Sequence, residues 1–339
     1  MTSGVLFMPG KVLVTGANGF TGSYLCKHLL QKGYHVRGLV RKSSNLSLLK
    51  GIDIEPVYGN FADKDSVHDL RAAMKGVETV YHIAAAYRTE GVPNKYFWQV
   101  NFEGTRHLLE AALASQVNRF VHCSTVGVQG DIKNPPATEE APYGPGDVYQ
   151  ESKLEGEKLA RKFFEEHRWP GVVVRPVGIY GPGDQRFLKI FKFVNNGRFR
   201  MFGSGEVLYH MTFVEDLAAG IILAGEKPEA LGQVFTIGGS EYTTLNELVA
   251  RIATALGVPK PTKHFPVWPV WTAGLLCELI CKPLRLEPPV YRRRVDFFVK
   301  DRAFDISKAR RLLGYEPKFN LDAGLKITAD WYRANGLLN

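Results

Sequence analysis

Cysteine is scarce in this chain of 339 residues, which carries only Cys26, Cys123, Cys277 and Cys281. No two of them form a Cys-x-x-Cys pair, so the spacing of a zinc ribbon or of a thioredoxin-like redox pair is missing. Nothing in this usage indicates a disulfide framework. We therefore expect reduced thiols in a cytoplasmic protein that holds no metal ion.

Long apolar runs are also missing. The longest, Val267–Cys281, is interrupted by Pro269 and Glu278 and is too short to span a bilayer. The first ten residues lack the basic and apolar regions of a secretory signal. No basic tract is interleaved with the aromatic side chains that stack on bases, which points away from nucleic acid. The formal net charge of +9 then favours smaller anionic partners such as a nucleotide.

Glycine, by contrast, occurs at regular spacing in the stretch Lys11–Gly22, which has the sequence KVLVTGANGFTG. Val12–Val14 form a short apolar run typical of a buried parallel strand, and a helix-face pattern of apolar residues begins at Phe20. The turn between them carries Gly16, Gly19 and Gly22. A strand, a glycine turn and a helix start place backbone N–H groups against a pyrophosphate. The stretch therefore predicts a dinucleotide-binding site.

Strands and helices alternate over the first half of the chain, which predicts a doubly wound parallel sheet of the α/β class, the Rossmann arrangement. We expect residues 1–180 to form the dinucleotide-binding domain. Residues 181–339 are expected to form a smaller α+β lobe that binds the substrate, with some elements returning to the sheet. The predicted segments include strands at His35–Val40, Ile54–Tyr58, Thr79–Ala84, Arg119–Ser124 and Gly171–Pro176, and helices at Asp65–Met74, Asn94–Ser115 and Asp147–His167.

The second predicted strand ends at Arg41 and Lys42, with no acidic residue before Asp53. A carboxylate at this position would bind the adenosine ribose of NAD, whereas basic side chains suit the 2′-phosphate of NADP. We therefore predict NADP as the cofactor, with NAD as the alternative if both cations are solvated loop charges. Asn60, after the third strand, is placed to contact the adenine edge.

Tyr149 and Lys153 are four residues apart on a predicted helix and therefore share one face. Ser124 and Thr125 end the fifth predicted strand, at the sheet edge where such folds bind ligands. A lysine cation one turn away favours the phenolate, so we expect it to lower the pKa of Tyr149. The phenol can then exchange a proton with a substrate alcohol or carbonyl while a nicotinamide exchanges a hydride.

Together these motifs resemble the extended short-chain dehydrogenase/reductases, the superfamily that includes the NAD-dependent epimerases and dehydratases. The resemblance covers nearly the whole chain, and it rests on TGANGFTG (15–22), VYHIAA (80–85), NFEGT (101–105), RFVHCSTVGVQG (119–130), YQESK (149–153), RPVGIYGPGD (175–184) and FVEDLAAG (213–220). It implies that Tyr149 is the catalytic acid/base, that Lys153 tunes it and holds the nicotinamide ribose, and that Thr125 is the catalytic hydroxyl. It also implies a homodimer formed through the helices over 94–115 and 147–167.

The same resemblance implies which residues surround the two ligands. Besides Tyr149 and Lys153, the cofactor side comprises Gly16, Gly19, Phe20, Thr21, Arg41, Lys42, Asn60, Phe61, Ala84, Ala85, Ala86, Asn101, Ser124, Pro176, Gly178 and Ile179. The substrate side comprises Tyr87, Val126, Gly127 and Tyr209. The glycine spacing, Gly-x-x-Gly-x-x-Gly, fits the turn typical of this family.

Departures from the family patterns indicate the branch. Val126 and Gly127 follow Thr125 where sugar-nucleotide 4,6-dehydratases carry an acidic pair, so that elimination lacks its acid and base. Tyr209 lies where sugar-nucleotide epimerases commonly carry an arginine for the diphosphate. The pattern is nearest the 3β-hydroxysteroid dehydrogenase and dihydroflavonol reductase-like branch, which implies a steroid-like or flavonoid-like substrate. A solvated helix face is the expected position of three further cations, with contact to a phosphate kept as the alternative: Arg186, Lys189 and Lys192.

The almost wholly apolar stretch Val267–Cys281 is followed by the basic residues Lys282, Arg285 and Arg292–Arg294. Such a helix is buried, lines an apolar pocket, or lies at a membrane interface with basic anchors. We expect burial in the substrate lobe and keep peripheral membrane contact as the alternative. Its two cysteines are expected in an apolar core.

The sequence therefore predicts an NAD(P)-dependent oxidoreductase that interconverts a secondary alcohol and a ketone on a hydrophobic substrate. Two alternatives stay open, a sugar-nucleotide epimerase with tightly bound NAD and a non-catalytic protein that senses NADP. An epimerase would purify with its dinucleotide bound and show no net turnover of added cofactor. The intact set of Thr125, Tyr149 and Lys153 argues against a sensor, which needs none of the three.

Overall fold

Strands and helices alternate along the first half of the chain, as the apolar runs and helix-face patterns of the sequence predict. The computed structural model describes residues 9–87, 92–281 and 292–338. Its strands are β1 (Lys11–Thr15), β2 (His35–Val40), β3 (Glu55–Tyr58), β4 (Thr79–His82), β5 (Arg119–Cys123), β6 (Gly171–Pro176), β7 (Gly178–Tyr180), β8 (Met201–Phe202), β9 (Leu208–Phe213), β10 (Val234–Ile237), β11 (Tyr242–Thr244) and β12 (His264–Phe265). Its helices are α1 (Phe20–Gln31), α2 (Val67–Ala73), α3 (Asn94–Trp98), α4 (Gly104–Ala114), α5 (Val148–Glu166), α6 (Leu188–Asn195), α7 (Val214–Glu226), α8 (Leu245–Leu256), α9 (Trp268–Cys281), α10 (Arg292–Val299), α11 (Ser307–Leu313) and α12 (Leu321–Ala334).

Seven parallel strands form the central sheet in the order β10-β6-β5-β4-β1-β2-β3. Val14 of β1 lies between Gly38 of β2 and Tyr81 of β4. The strand order reverses at β1, and open α/β sheets bind ligands at the carboxyl ends of the strands beside such a point. The strands are almost continuously apolar because helices cover both faces of the sheet. The predicted doubly wound Rossmann sheet is confirmed.

The smaller lobe has its own sheets and its own core. Strands β7 and β11 pair with β9, and β8 pairs with β12. Its core packs helices α6, α8 and α12 against β9 through buried side chains such as Phe191, Ile252, Leu325 and Tyr332. The chain also returns to the first domain, because β10 pairs with β6 at the sheet edge and α7 packs on α1. The two parts of the molecule therefore share elements.

The helix predicted over Asn94–Ser115 is confirmed as continuous helical structure over Asn94–Ala114, in which a π-helical turn at Gln99–Glu103 joins α3 to α4. The wider turn carries a buried Asn101, whose Nδ2 donates to the Ala86 carbonyl at 3.1 Å and to Ser152 Oγ at 3.0 Å. Its Oδ1 accepts from the Ala86 N–H at 2.8 Å. Such wide turns occur frequently at functional sites. Here the turn ties the loop after β4 to α5.

The prediction that the apolar helix α9 is buried in the substrate lobe is wrong for much of its surface. The exposed fractions are 68%, 45%, 55% and 61% for Trp268, Trp271, Leu276 and Leu279. Helix α9 packs on α10, and these four side chains lie outside the buried core of the smaller lobe. Cys277 and Cys281, expected in an apolar core, are only half-buried.

The basic residues expected after α9 cannot be placed beside it. Lys282 and Arg285 lie outside the described residues, as do the side chains of Arg292–Arg294. Across the described ranges, no helix combines the length and the apolar character that crossing a bilayer requires.

Candidate active site

A cleft of about 2070 Å³ extends from the glycine turn, past the ends of β4, β5 and β6, into the smaller lobe. It brings together most of the residues predicted for the site: Gly16, Gly19, Phe20, Thr21, Arg41, Asn60, Phe61, Ala84, Ala85, Tyr87, Ser124, Thr125, Val126, Gly127, Tyr149, Lys153, Pro176, Gly178, Ile179 and Tyr209. Lys42, Ala86 and Asn101 lie outside this lining. Lys42 directly follows Arg41, after the end of β2, and it lies in a turn and is exposed. Ala86 and Asn101 are buried and do not line the cleft.

The glycine turn leaves a cradle that a larger side chain would fill. Gly16 has a φ of +67°, and a Cβ on it would lie 2.9 Å from the Cα of Ala84. A Cβ on Gly22 would lie 2.0 Å from the carbonyl oxygen of Gly16, so α1 packs directly on the turn. The first N–H groups of a helix have no partner within it. This end of α1 therefore fits the pyrophosphate of a dinucleotide.

The end of the cleft beside β2 is lined by Arg41, Ser44, Asp63 and Lys64. The Arg41 N–H donates to Ser44 Oγ at 3.1 Å, and the Ser44 N–H donates to the Arg41 carbonyl at 2.9 Å. This tight turn holds both residues at the end of β2. The sequence analysis did not predict Ser44 and Lys64 as part of this site. Both lie within four residues in the sequence of a predicted cofactor residue, Arg41 or Asn60, and this proximity was the signal that could have identified them.

Tyr149 and Lys153 lie one turn apart on α5, as the spacing predicts. The helix begins at Asp147, whose carboxylate accepts from the Gln150 N–H at 3.0 Å, a typical N-cap. The Tyr149 ring meets the Tyr87 ring edge-on, with ring centres 4.7 Å apart and planes at 73°. The cap and this aromatic contact fix the phenol at the floor of the cleft.

Thr125 lies two residues after the end of β5, and its side chain is hydrogen-bonded to the Tyr149 hydroxyl. Its Oγ1 accepts from the Gly127 N–H at 3.1 Å, which caps a short 3₁₀ turn. Because that bond uses the oxygen as an acceptor, the Thr125 hydroxyl keeps its proton for donation toward Tyr149 or a substrate oxygen. Two hydroxyl groups therefore converge at one point of the cleft.

Lys153 is buried, and its Nζ donates to the Cys123 carbonyl at 2.6 Å. Burial lowers the pKa of Lys153. Burial, aided by the neighbouring Tyr87, raises the pKa of Tyr149, while the Arg186 guanidinium acts in the opposite direction. The expected lowering of the Tyr149 pKa by Lys153 is therefore wrong here, because burial of the phenol dominates. The phenol carries its proton at neutral pH.

Two buried histidines lie close to Lys153. His82 Nδ1 is 2.8 Å from Thr15 Oγ1, and its Nε2 is 3.1 Å from Thr105 Oγ1. Burial, with the Lys153 ammonium nearby, holds the pKa of His82 and the pKa of His122 well below the usual range. Both rings are therefore neutral and supply no proton at neutral pH.

A buried ion pair supports α5 one turn beyond Lys153. Glu157 accepts from Arg175 at both oxygens, with Nη2–Oε1 at 2.5 Å and Nε–Oε2 at 3.0 Å. The Ser124 hydroxyl, predicted to face the cofactor, donates to Glu157 Oε2 at 2.6 Å. Sequence reasoning missed this pair, although a charged Arg175 inside the apolar strand β6 was a signal for a buried partner.

The lobe side of the cleft is lined by aromatic rings from several elements, namely Phe187, Phe193, Phe199, Phe297 and Phe298. Tyr209 closes this side, and its hydroxyl donates to the Phe297 carbonyl at 2.6 Å and accepts from Arg302 Nη1 at 2.6 Å. Aromatic surface of this extent suits an apolar ligand.

The solvated position expected for Arg186 is wrong. Arg186 and Lys189 both line the cleft, whereas Lys192 is exposed on α6, as expected. Arg186 lies before α6 begins, so the helix-face pattern that predicts exposure does not apply to it. The cleft therefore contains a cation close to the phenol of Tyr149.

A cradled glycine turn, a Tyr-x-x-x-Lys pair and a threonine at the end of β5 define an enzyme of the extended short-chain dehydrogenase type that uses a nicotinamide dinucleotide. The sequence profile of the NAD-dependent epimerase/dehydratase family matches residues 12–238. The chain belongs to that family.

Relatives with different activities align over nearly the whole chain. A mouse sterol-4-α-carboxylate 3-dehydrogenase (decarboxylating) is 30% identical and covers 94% of this chain and 90% of its own. A 3-β-hydroxysteroid dehydrogenase of Mycolicibacterium neoaurum is 31% identical, covering 95% and 91%. A UDP-glucose 4-epimerase of Vibrio cholerae is 30% identical, covering 97% of both. Steroid dehydrogenases and sugar-nucleotide epimerases are thus both among its relatives.

Solved structures show the same architecture. The crystal structure of gox2253 superposes with a TM-score of 0.84 at 28% identity, covering 97% of this chain and 100% of its own. A dTDP-glucose 4,6-dehydratase of Streptomyces venezuelae, solved with NAD bound, superposes with a TM-score of 0.76 at 25% identity, covering 97% and 99%.

Proposed function

We propose that this enzyme uses NADP to interconvert a secondary alcohol and a ketone on a hydrophobic, steroid-like or flavonoid-like substrate. The proposal rests on one observation: Tyr149 and Thr125 line the same cleft as the aromatic side chains of the smaller lobe. A proton donor at the edge of an apolar cleft suits a carbonyl on an apolar skeleton. The steroid and sterol dehydrogenases among the relatives support the same substrate class.

In this mechanism the dinucleotide, when bound, supplies the hydride that reduces the carbonyl carbon or accepts it from the alcohol. The glycine turn and α1 would hold its pyrophosphate, and Lys153 its nicotinamide ribose. Tyr149 Oη gives its proton to the substrate oxygen as the ketone becomes an alcohol, and takes it back in the reverse direction. Thr125 donates a hydrogen bond to the same oxygen while negative charge develops there.

A turnover screen tests the proposal. Ketosteroids, flavonoid-type ketones and UDP-sugars are each incubated with the enzyme and either NADPH or NADH. Oxidation of the cofactor is measured as the decrease in the absorbance of the reduced nicotinamide. We expect NADPH oxidation with an apolar ketone. Absence of turnover with every ketone would contradict the proposal.

For the cofactor, we expect Arg41→Ala to raise the Kd of NADPH about 10- to 100-fold, because it removes a charged hydrogen bond to the 2′-phosphate. The Kd of NADH should change by no more than about threefold. Lys42→Ala is the matched control, because Lys42 lies outside the cleft lining, and it should leave both values nearly unchanged. Titration of nicotinamide fluorescence measures all four. Equal losses of NADPH and NADH affinity in Arg41→Ala would show that the 2′-phosphate assignment is wrong.

A sugar-nucleotide epimerase is the second candidate, and Arg302 is the observation that favours it. Arg302 lines the cleft against Tyr209, in the region where a diphosphate would lie in that reaction. An epimerase should purify with NAD bound and convert a UDP-sugar without net turnover of added cofactor. Release of the cofactor by heat denaturation and its absorbance measure the first property.

We also propose that the exposed apolar face of α9, formed by Trp268, Trp271, Leu276 and Leu279, contacts an anionic membrane surface. Tryptophan and leucine side chains on a surface helix suit the headgroup boundary, and a net charge of +9 suits anionic lipid. We expect co-sedimentation with vesicles of phosphatidylcholine and phosphatidylserine, and at least about tenfold weaker binding for Trp268→Ser with Leu279→Ser, which remove apolar area.

The control for this membrane prediction is Leu48→Ser, which removes a leucine that is 42% exposed in the first domain. It should bind vesicles like the natural chain. A natural chain that stays in the supernatant with these vesicles would refute membrane contact through α9.

A further inference from the structure

The side-chain amide of Gln150, the residue after the catalytic tyrosine on α5, is held in one orientation. The Gly146 N–H donates to Gln150 Oε1 at 2.7 Å. Because a backbone N–H can only donate, this bond identifies which end of the amide is the oxygen. The backbone of Gln150 is fixed as well, since its N–H donates to the Asp147 carboxylate at 3.0 Å. The amide nitrogen, Nε2, is therefore the end left for another contact.

The absence of a side chain at Gly127 leaves room for this amide on the wall of the cleft. Gln150 and Gly127 both line the cleft. A Cβ on Gly127 would lie 3.2 Å from Gln150 Cγ and 3.3 Å from Gln150 Nε2. These distances are shorter than ordinary carbon contacts of about 3.5–4.0 Å. The amide nitrogen therefore lies close to the open face of the glycine.

The polar groups of the reaction meet the amide at this point. The same Cβ position on Gly127 lies 3.3 Å from Thr125 Oγ1, and the Thr125 side chain is hydrogen-bonded to the Tyr149 hydroxyl. Within the described residues, Gln150 Nε2 makes no hydrogen bond, and the side chain is only half-buried. Two N–H donors without an acceptor, next to the two hydroxyl groups, indicate that an oxygen atom of the ligand is the acceptor.

We infer that Gln150 is a further catalytic residue, whose amide N–H donates to the substrate oxygen while negative charge develops there. This inference rests on the proposed function. The hydride passes between the nicotinamide and the carbonyl carbon, and the proton passes between Tyr149 Oη and the oxygen. Gln150 keeps both of its protons throughout. A neutral donor that is oriented before the reaction stabilises an oxyanion without having to reorganise.

The alternative is a purely structural role at the start of α5, and Gln150→Glu separates the two. This variant keeps an oxygen for the Gly146 N–H, and an acidic side chain in the first turn favours a helix. It removes both N–H donors. We expect kcat for an apolar ketone with NADPH to fall about 100-fold, the effect of losing one oxyanion donor. KM should stay within about threefold, because the charge develops only in the transition state.

Gln150→Met removes the same donors without adding a charge, and its kcat should also fall about 100-fold. The ketone in both assays is the ketosteroid or flavonoid-type ketone that the natural chain reduces fastest. The melting temperature of Gln150→Glu should be unchanged or higher, and the Kd of NADPH should stay within about threefold for both variants, because the glycine turn is untouched. Differential scanning calorimetry and titration of nicotinamide fluorescence measure these two properties.

Glu151→Gln is the matched control, because it changes the charge of the same helical turn by one unit at an exposed position outside the cleft lining. It should leave kcat unchanged. The inference would be overturned by a kcat within about threefold of the natural value in either Gln150 variant, or by a loss that appears only in KM. A fall in kcat that is matched by lost stability or lost NADPH affinity would show the structural role instead. A natural chain that reduces no ketone would overturn the proposed function itself.

Discussion

Replacement of Tyr149 by phenylalanine is expected to lower kcat about a thousandfold, the scale of a lost general acid. The Kd of the dinucleotide should change by no more than about threefold, because the pyrophosphate site at the glycine turn is untouched. Phenylalanine keeps the ring that packs on Tyr87, so the loss reports on the hydroxyl alone. Steady-state kinetics and titration of nicotinamide fluorescence measure the two quantities.

The pH dependence should follow from the same hydroxyl. Burial raises the pKa of Tyr149, so the phenol is protonated at neutral pH and ready to act as an acid. Ketone reduction needs that protonated form, and its rate should be nearly flat around neutrality. Alcohol oxidation needs the phenolate, so its rate should rise as the pH increases toward the raised pKa. A rate of oxidation that falls with rising pH would contradict this assignment.

Tyr58→Phe is the matched control, because Tyr58 is 48% exposed on β3 and does not line the cleft. It should leave kcat unchanged. A Tyr149→Phe enzyme that keeps more than about a tenth of the natural activity would remove Tyr149 from the catalytic role.

Replacement of Glu157 by glutamine is expected to reduce the free energy of unfolding by about 3–5 kcal/mol, because it leaves the charge of Arg175 buried without its counterion. Arg175 exposes 1% of its side chain and Glu157 none. Ser124 would lose its carboxylate acceptor as well. Urea unfolding followed by circular dichroism measures the change.

A double substitution separates the ion pair from simple packing. Glu157→Leu with Arg175→Met removes both charges together, and it should be clearly more stable than Glu157→Gln because no buried charge is left alone. Glu166→Gln is the surface control, since it removes an exposed partner of Lys162 on the same helix and should change stability by less than about 0.5 kcal/mol. A loss below about 1 kcal/mol in Glu157→Gln would mean that Arg175 finds another partner.

The features predicted well from the sequence are those set by neighbouring residues. The apolar runs predict β2 and β6 with the bounds found in the structure, because a strand buried on both faces must be apolar throughout. The glycine turn and the pair Tyr149 and Lys153 are equally local, since each is defined within one turn and its adjoining helix. Spacing therefore placed the phenol and the lysine on one helix face, whereas the family resemblance implied that they share a site with the glycine turn, and all three line one cleft in the structure.

The features that sequence reasoning missed depend on contacts between distant segments. Nothing near Arg186 in the sequence shows that the turn before α6 folds back to Tyr87. The π-helical turn around Asn101 needs one added residue per turn, which a helix-face pattern cannot reveal. Composition also fails for α9, because a helix that is apolar on every side does not tell which of its sides meets a neighbour.

Strand β10 has a consequence for engineering this enzyme. It lies in the chain after the first elements of the smaller lobe, yet it forms the sheet edge beside β6, and its Thr236 N–H donates to Glu139 Oε1 at 2.7 Å. A nascent chain that ends at residue 180 would present β6 as an open edge. Substrate lobes therefore cannot be exchanged between relatives as one cassette after residue 180. A working chimera must keep β10 and α7 with the parent sheet and graft the lobe as separate inserts around them.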